Sequence, residues 1–243
     1  MTFLSVLAVG FLLGLRHALD ADHVAAIAAL ATRSRSIKET VKTGIAWGIG
    51  HTVTLFAVCA VIIVSGVAFP ERIAGVLEFL VGVMLVGLGV DVILRIIRER
   101  IHVHAHEHRN NGTHIHFHSH EKETEHNNTA AHEHEHRSTL PSRALTIGLM
   151  HGLAGSAALL LLAVSQKVST VEALGYVLVF GIGSIIGMAI LSAAIAWPIM
   201  ASARKGNTSF KRFNLAIGAG TAAIGAVVMF HSYPSIPALL TSL

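Results

Sequence analysis

The stretch RHALDADH, residues 16 to 23, brings Arg16, His17, Asp20, Asp22 and His23 into eight positions. Further imidazoles stand at His51, in GIGHTVTL (48 to 55), and at His151, in GLMHGLAG (148 to 155). Imidazole nitrogen combined with carboxylate oxygen suits nickel, cobalt, zinc or ferrous iron, whereas an all-oxygen site would suit magnesium or calcium and thiolates would suit Cu(I). The single cysteine, Cys59, lies in an apolar run and reads as a small packing residue. His17, Asp20, Asp22, His23, His51 and His151 are therefore the candidate metal ligands. The plainer alternative for any one histidine is a neutral ring hydrogen-bonded across helices, and that reading is preferred for His231, near the end of the last apolar run. Arg16 is expected to pair with an aspartate. Glu78 and Asp91 are either proton or counter-ion sites or interfacial residues.

These polar groups need an account because of where they lie. Hydrophobic residues make up 53% of the 243, charged residues only 13%, and the mean hydropathy is +0.64, too apolar for an ordinary soluble domain. A bilayer core about 30 Å thick needs roughly 20 apolar helical residues per crossing. Such runs occur at 2–31, 45–69, 75–97, 144–165, 173–200 and 213–232. The sequence predicts an all-α polytopic membrane protein of about six transmembrane helices. A charged side chain at mid-membrane costs about 2.5–3.5 kcal/mol on insertion scales, so the motif in the first run must be offset by partners or by bound cation. On a straight helix His17 and His23 would point about 120° apart. Use of both by one ion predicts a bent or unwound turn between them, as at the midplane sites of transporters.

Basic residues set the orientation. Loops 32–43, 98–143 and 201–212 hold fourteen Lys and Arg together, against two in 70–74 and 166–172. This alternation fits six spans with the basic loops in the cytoplasm and both termini outside it. Residues 1–15 contain no Lys or Arg, so the first run is expected to remain in the mature protein rather than act as a signal peptide. A bacterial inner membrane is the expected location.

The two halves resemble each other. Gly14, Leu15 and His17 align with Gly148, Leu149 and His151; GIGHTVTL (48–55) aligns with GIGSIIGM (181–188); Gly82 and Gly89 align with Gly218 and Gly225. Three helices per half is an odd number, so the second half enters the membrane from the opposite side. That is a 3+3 inverted repeat with a site expected near the midplane between halves. The domains are then 1–97, the first three-helix repeat; 98–143, a cytoplasmic loop; and 144–243, the second repeat.

Residues 101–137 hold twelve histidines, among them His102, His104, His106, His108, His114, His116, His118, His120, His132, His134 and His136. With Asn, Glu and Thr between them, they form no apolar core and are expected to be a disordered, low-affinity metal-collecting tract, a buffer or sensor separate from the intramembrane ligands. Because neutral imidazole is the ligand, with an unperturbed pKa of about 6.5, the tract should release metal in mild acid.

RHALDADH fits H-x4-D-H, which resembles the second-helix signature of the nickel/cobalt transporter family, and GHTVTL is similar to that family's G-H-[ST]-x-V element. The resemblance implies that His17, Asp22, His23 and His51 recognise the metal. Family permeases usually have eight helices and carry an acidic F-D-T-A-T-E type element in the second half. Here MHGLAGSAAL stands instead, which looks more like the shorter relatives associated with urease accessory transport. The implied function is secondary transport of divalent nickel or cobalt, uptake favoured over efflux, with the ion as substrate and no cofactor. A metallochaperone, or a urease or hydrogenase maturation system, is the implied partner. No nucleic acid is expected as partner. No Walker A sequence is present, so the chain is not itself an ATP-driven pump. The rival classes are a membrane metalloenzyme, for which no H-E-x-x-H occurs, and a sensor built on the histidine loop. The chain is expected not to be an enzyme.

Overall fold

The apolar run 2–31 does not form one straight span. In the computed structural model, which describes residues 3–66, 70–98, 102–108, 112–118, 141–153, 169–204 and 206–240, it forms α1 (Phe3–His17) and α2 (Ala21–Ala31). These two helices are bent by 55° at the break between them. Leu19 N–H bonds the Arg16 carbonyl at 2.8 Å and Asp20 N–H bonds the His17 carbonyl at 3.1 Å, so α1 ends in a tightened i→i+3 turn. Asp20, in extended backbone, then starts α2. The predicted turn between His17 and His23 is this break. The remaining elements are α3 (Ile37–Ser65), α4 (Glu71–Arg98), the strands β1 (His102–His108) and β2 (Gly112–His118), α5 (Ser142–Gly152), α6 (Thr170–Arg204), α7 (Asn207–Ser232) and α8 (Ser235–Leu240).

Helices α3, α4, α6 and α7 are each long and apolar enough to cross a membrane, and the bent α1–α2 pair makes a fifth candidate span. The membrane body is thus helical, with four or five candidate spans among the described residues where the sequence counts six. The predicted crossing at 144–165 is described only through Leu153; residues 154–168 lie outside the described residues. The helix ends carry local signals. Ser36 accepts from Glu39 N–H while Glu39 accepts from Arg35 N–H. Ser169 and Glu172 bond each other's backbone N–H at 3.3 and 2.9 Å, a capping box opening α6. Gly66 ends α3 at φ 65°, a left-handed cap favouring glycine.

At eleven residues α2 is roughly 16 Å long, too short to cross alone. It is small and apolar on most sides: Ala25, Ala26, Ile27, Ala29, Leu30 and Ala31 are buried, and it packs against α3, α4, α6 and α7. Thr221 of α7 donates to the Ala25 carbonyl at 3.2 Å. Around it, α1 packs on α6, α5 on α3, α3 on α6 and α4 on α7. Glycines permit these close crossings. A Cβ at Gly14 would overlap the Phe180 carbonyl, and one at Gly148 the Trp47 carbonyl. Gly183 lies on the Phe11 carbonyl and Gly50 on the Leu145 carbonyl. Gly82 faces the Gly225 carbonyl and Gly89 the Gly218 carbonyl. Outward positions such as Val61, Ile97, Ile190, Trp197 and Phe230 are exposed and apolar, as a lipid-facing surface requires.

Within the histidine-rich segment the structure departs from the expected disorder. β1 and β2 pair antiparallel, with His102 opposite His118, His104 opposite His116 and His106 opposite His114. The physical reason lies in the sequence: strict alternation of histidine with other residues has the period of a strand, and the short connection between the two runs allows a hairpin. His120, His132, His134 and His136 lie outside the described residues.

Asp91 is a paired charge, not an isolated one. Arg33 Nη2 reaches both of its carboxylate oxygens at 2.8 Å, and Arg143 Nη2 reaches Oδ2 at 3.3 Å. Arg95 Nη2 donates to Thr32 Oγ1 at 2.7 Å. The end of α2, the end of α4 and the start of α5 are thereby tied at one end of the bundle. All three charged members of the Asp91 cluster are at least one-third exposed, so Asp91→Asn should cost only ~1 kcal/mol or less. A thermal melt in detergent that shifted by tens of degrees would contradict this.

Candidate metal centre

The break in the first span does what a continuous helix could not. His17 ends α1, Asp22 and His23 sit in the first turn of α2, His51 is midway along α3 and His151 is next to last in α5. Four elements from both halves of the sequence deliver one cluster. The C-terminal end of α1 favours a cation, and the N-terminal end of α2 favours the Asp22 carboxylate.

The rings are close-packed. Ring centroids lie 4.4 Å apart for His17 and His23, 4.5 Å for His23 and His151, 5.0 Å for His23 and His51, and 5.3 Å for His17 and His51. His23, His51 and His151 are 2% exposed or less and His17 is 9% exposed. Asp22 accepts at Oδ1 from both the backbone N–H and Nδ1 of His23, each 2.9 Å, and at Oδ2 from His151 Nε2 at 2.9 Å. His17 Nδ1 bonds Asp20 Oδ2 at 2.7 Å, and His17 Nε2 lies 3.3 Å from His51 Nε2. Two sets each bring three candidate ligand atoms within 4.8 Å of one another: His17, His23 and His51, and Asp22, His23 and His151.

Every candidate from the opening motif, with His51 and His151, converges here. Asp20 is the outer member: it is half exposed and, among the described residues, touches the cluster through His17. Arg16 is exposed and forms no salt bridge among the described residues, contrary to the expected pairing with an aspartate. His231 bonds the Val227 carbonyl of its own helix at 3.0 Å, and among the described residues it has no hydrogen bond to another helix. Glu78 is exposed. Cys59 is a free, buried thiol packed with Leu55, Tyr176, Val177 and Phe180, as a packing residue should be.

Sequence reasoning missed the aromatic walls. Trp47, fully buried, has its ring 5.1 Å from His23 and 5.2 Å from His151. Phe180 lies 5.4 Å from His17. A signal existed: extending the 48–55/181–188 alignment by one residue sets Trp47 opposite Phe180, and Trp47 stands one helical turn before His51. These rings wall a cluster of imidazole nitrogens and the Asp22 carboxylate, a donor set suited to a borderline divalent metal ion.

The comparisons with known proteins agree with this chemistry. Residues 3–232 match the NicO family model, described as high-affinity nickel-transport protein. The chain is 36% identical over 202 residues to the urease accessory protein UreH of Bacillus sp. (strain TB-90), an alignment spanning 83% of this chain and 81% of that protein. No solved structure matches the chain. With a helical body able to cross a membrane several times and a family match over nearly its full length, the chain belongs to the NicO family of nickel/cobalt transporters and is a membrane transporter, not an enzyme.

Proposed function

We propose that the chain carries nickel or cobalt ions across the bacterial inner membrane into the cytoplasm as a secondary transporter. His17, Asp22, His23, His51 and His151 form its transport site, and Asp20 braces His17. The carrying observation is the buried four-imidazole cluster at a broken helix, fed from both halves of the chain. Import rather than export is favoured by the likeness to a protein named for a role accessory to urease, and a urease maturation system or its metallochaperone is the fitting recipient.

The architecture in this reading is a six-span 3+3 inverted repeat. The reciprocal packing supports it: α1 on α6 mirrors α5 on α3, and the Gly14–Phe180 approach mirrors Gly148–Trp47. His17 beside Phe180 mirrors His151 beside Trp47. Rocking of one half against the other would expose the cluster to each side in turn. The gathering of Arg33, Arg95 and Arg143 at one end supports a cytoplasmic location for the loops there, the histidine-rich segment among them, with both termini outside. That segment acts as a buffer on the receiving side.

Uptake of nickel, cobalt and zinc sulfates into proteoliposomes of one orientation tests the reading, with wild type beside a variant whose twelve loop histidines are replaced by asparagine. Nickel or cobalt should move toward the loop side, and the loop variant should keep the saturating rate. Folded protein that moves neither ion would overturn the reading.

A further inference from the structure

We propose that the seam between α3 and α6 is the route by which the ion passes between the histidine cluster and the arginine-bearing end of the bundle, with the hydroxyls of Ser184 and Ser192 as its oxygen contacts and the Met188 side chain as its plug. This rests on the transport reading above and adds a path to that site.

The two helices run antiparallel along the seam. Gly181 meets Thr52, Gly48 meets Ile185 and Met188, and Gly44 meets Ser192. The seam therefore starts level with His51 and descends to the end where α3 begins and α6 finishes, the end at which Arg33, Asp91 and Arg143 gather. On α6, Phe180, Gly183 and Gly187 face α1, whereas Gly181, Ile185, Met188 and Ser192 face α3. At 100° per residue Ser184 falls between these two sectors, the side on which α1 and α3 bring His17 and His51 together. In the repeat alignment Ser184 also takes the place of His51, so a hydroxyl stands where the other half has an imidazole. Ser192 lies eight residues further, about 12 Å nearer the arginine end.

Both hydroxyls are fully buried and have no hydrogen-bond partner among the described residues. An unpaired buried polar group is costly and calls for a reason. Other hydroxyls of these helices avoid that cost: Thr40, Thr54, Ser202 and Ser232 each donate to a carbonyl about one turn back, the usual recourse of serine and threonine within a helix. Ser192 Oγ instead points at Gly44, where a Cβ would overlap it. Glycine at 44 and 48 leaves no side chain to close the seam from the α3 side. Met188 fills it, fully buried, with Sδ 3.1 Å from where a Gly48 Cβ would stand. An unbranched thioether chain with three rotatable bonds can swing aside where a branched residue would be held. A divalent ion leaving imidazoles inside a membrane needs oxygen in place of water, and hydroxyls on either side of the plug supply it as weak ligands that release readily.

Uptake of nickel sulfate into vesicles by the full-length chain tests the route, with Ser184→Ala and Ser192→Ala beside wild type. Each should lower the maximal rate about tenfold or more, as loss of one hydrogen-bonding group to a charge does, with KM within about twofold because the cluster is untouched. The melting temperature should hold or rise, since an unpaired buried hydroxyl has been removed. A cysteine scan gives the second measurement: in a Cys59→Ala background, the thiol of Ser192→Cys should react with a membrane-impermeant cationic methanethiosulfonate applied from the loop side, faster while nickel is moving, and the reaction should stop uptake. Ile190→Cys, on the exposed face of the same helix, should stay unlabelled and transport normally. Serine-to-alanine variants within about twofold of the wild-type rate, a rate lost only together with the melt, an inert thiol in Ser192→Cys, or equal labelling of Ile190→Cys would each overturn the route. A folded wild-type chain that moves no nickel would sink the transport reading itself, whereas wild-type uptake with any of those four results would sink the route alone.

Discussion

His23→Ala is expected to lower the initial rate of nickel uptake by more than about a hundredfold, since loss of even an outer-shell partner of a metal site costs about 10–100-fold. His23 is the one residue common to both candidate trios, and its ring packs against those of His17, His51, His151 and Trp47. Alanine there removes a candidate ligand, breaks the contact of the His23 ring with Asp22 and opens a hole at the centre of the cluster. The hole also costs stability, on the order of 2–3 kcal/mol as for other large-to-small core changes, so a detergent melt must accompany the flux assay. A folded His23→Ala protein with wild-type uptake would show that these histidines only hold helices together.

Gly148→Leu should be the most damaging change away from the cluster. A side chain at this position meets the Trp47 carbonyl and backbone directly, where no rotamer can relieve the overlap, so α5 and α3 must separate. Overpacking usually costs about 1–3 kcal/mol, and more where the obstacle is backbone. Separation would also carry His151 away from Asp22 and Trp47 from the rings it covers. Folded yield should collapse, or the melting temperature fall by well over about 10 °C, given several kcal/mol and the few degrees lost per kcal/mol in a chain of this size. Gly14→Leu, which meets the Phe180 carbonyl, should match it. Gly87→Ala is the control: nothing lies within 4 Å of a Cβ there, and its melt should stay near wild type. A Gly148→Leu protein as stable as Gly87→Ala would mean that α5 does not sit on α3 as described.

The candidate ligand types were legible in the chain because charge is so costly in an apolar run that the groups of RHALDADH must be balanced there by partners or by a bound cation. The turn at Ala18–Asp20 was legible too, from the angular argument that His17 and His23 diverge on a straight helix. His51 and His151 were legible from repeated short motifs. The pairing of Arg33 and Arg143 with Asp91 was not, because these residues are 58 and 52 positions from it and periodicity says nothing about contacts between helices. The hairpin at 102–118 was missed because composition argued for disorder while the alternating pattern, read alone, argued for strands.

What the sequence by itself determined is the kind of molecule and its chemistry: a helical membrane chain with intramembrane imidazoles and carboxylates suited to a divalent transition metal. Burial cost and ligand softness are properties of residue types and so travel with the sequence. Only the tertiary structure decided that Asp22 faces His23 and His151 at once, and that Trp47 and Phe180 wall the cluster. Those facts depend on the crossing of α1, α3, α5 and α6 at glycine contacts. There the backbones approach closely enough that the rotation of each helix, which no single segment encodes, sets where its side chains point.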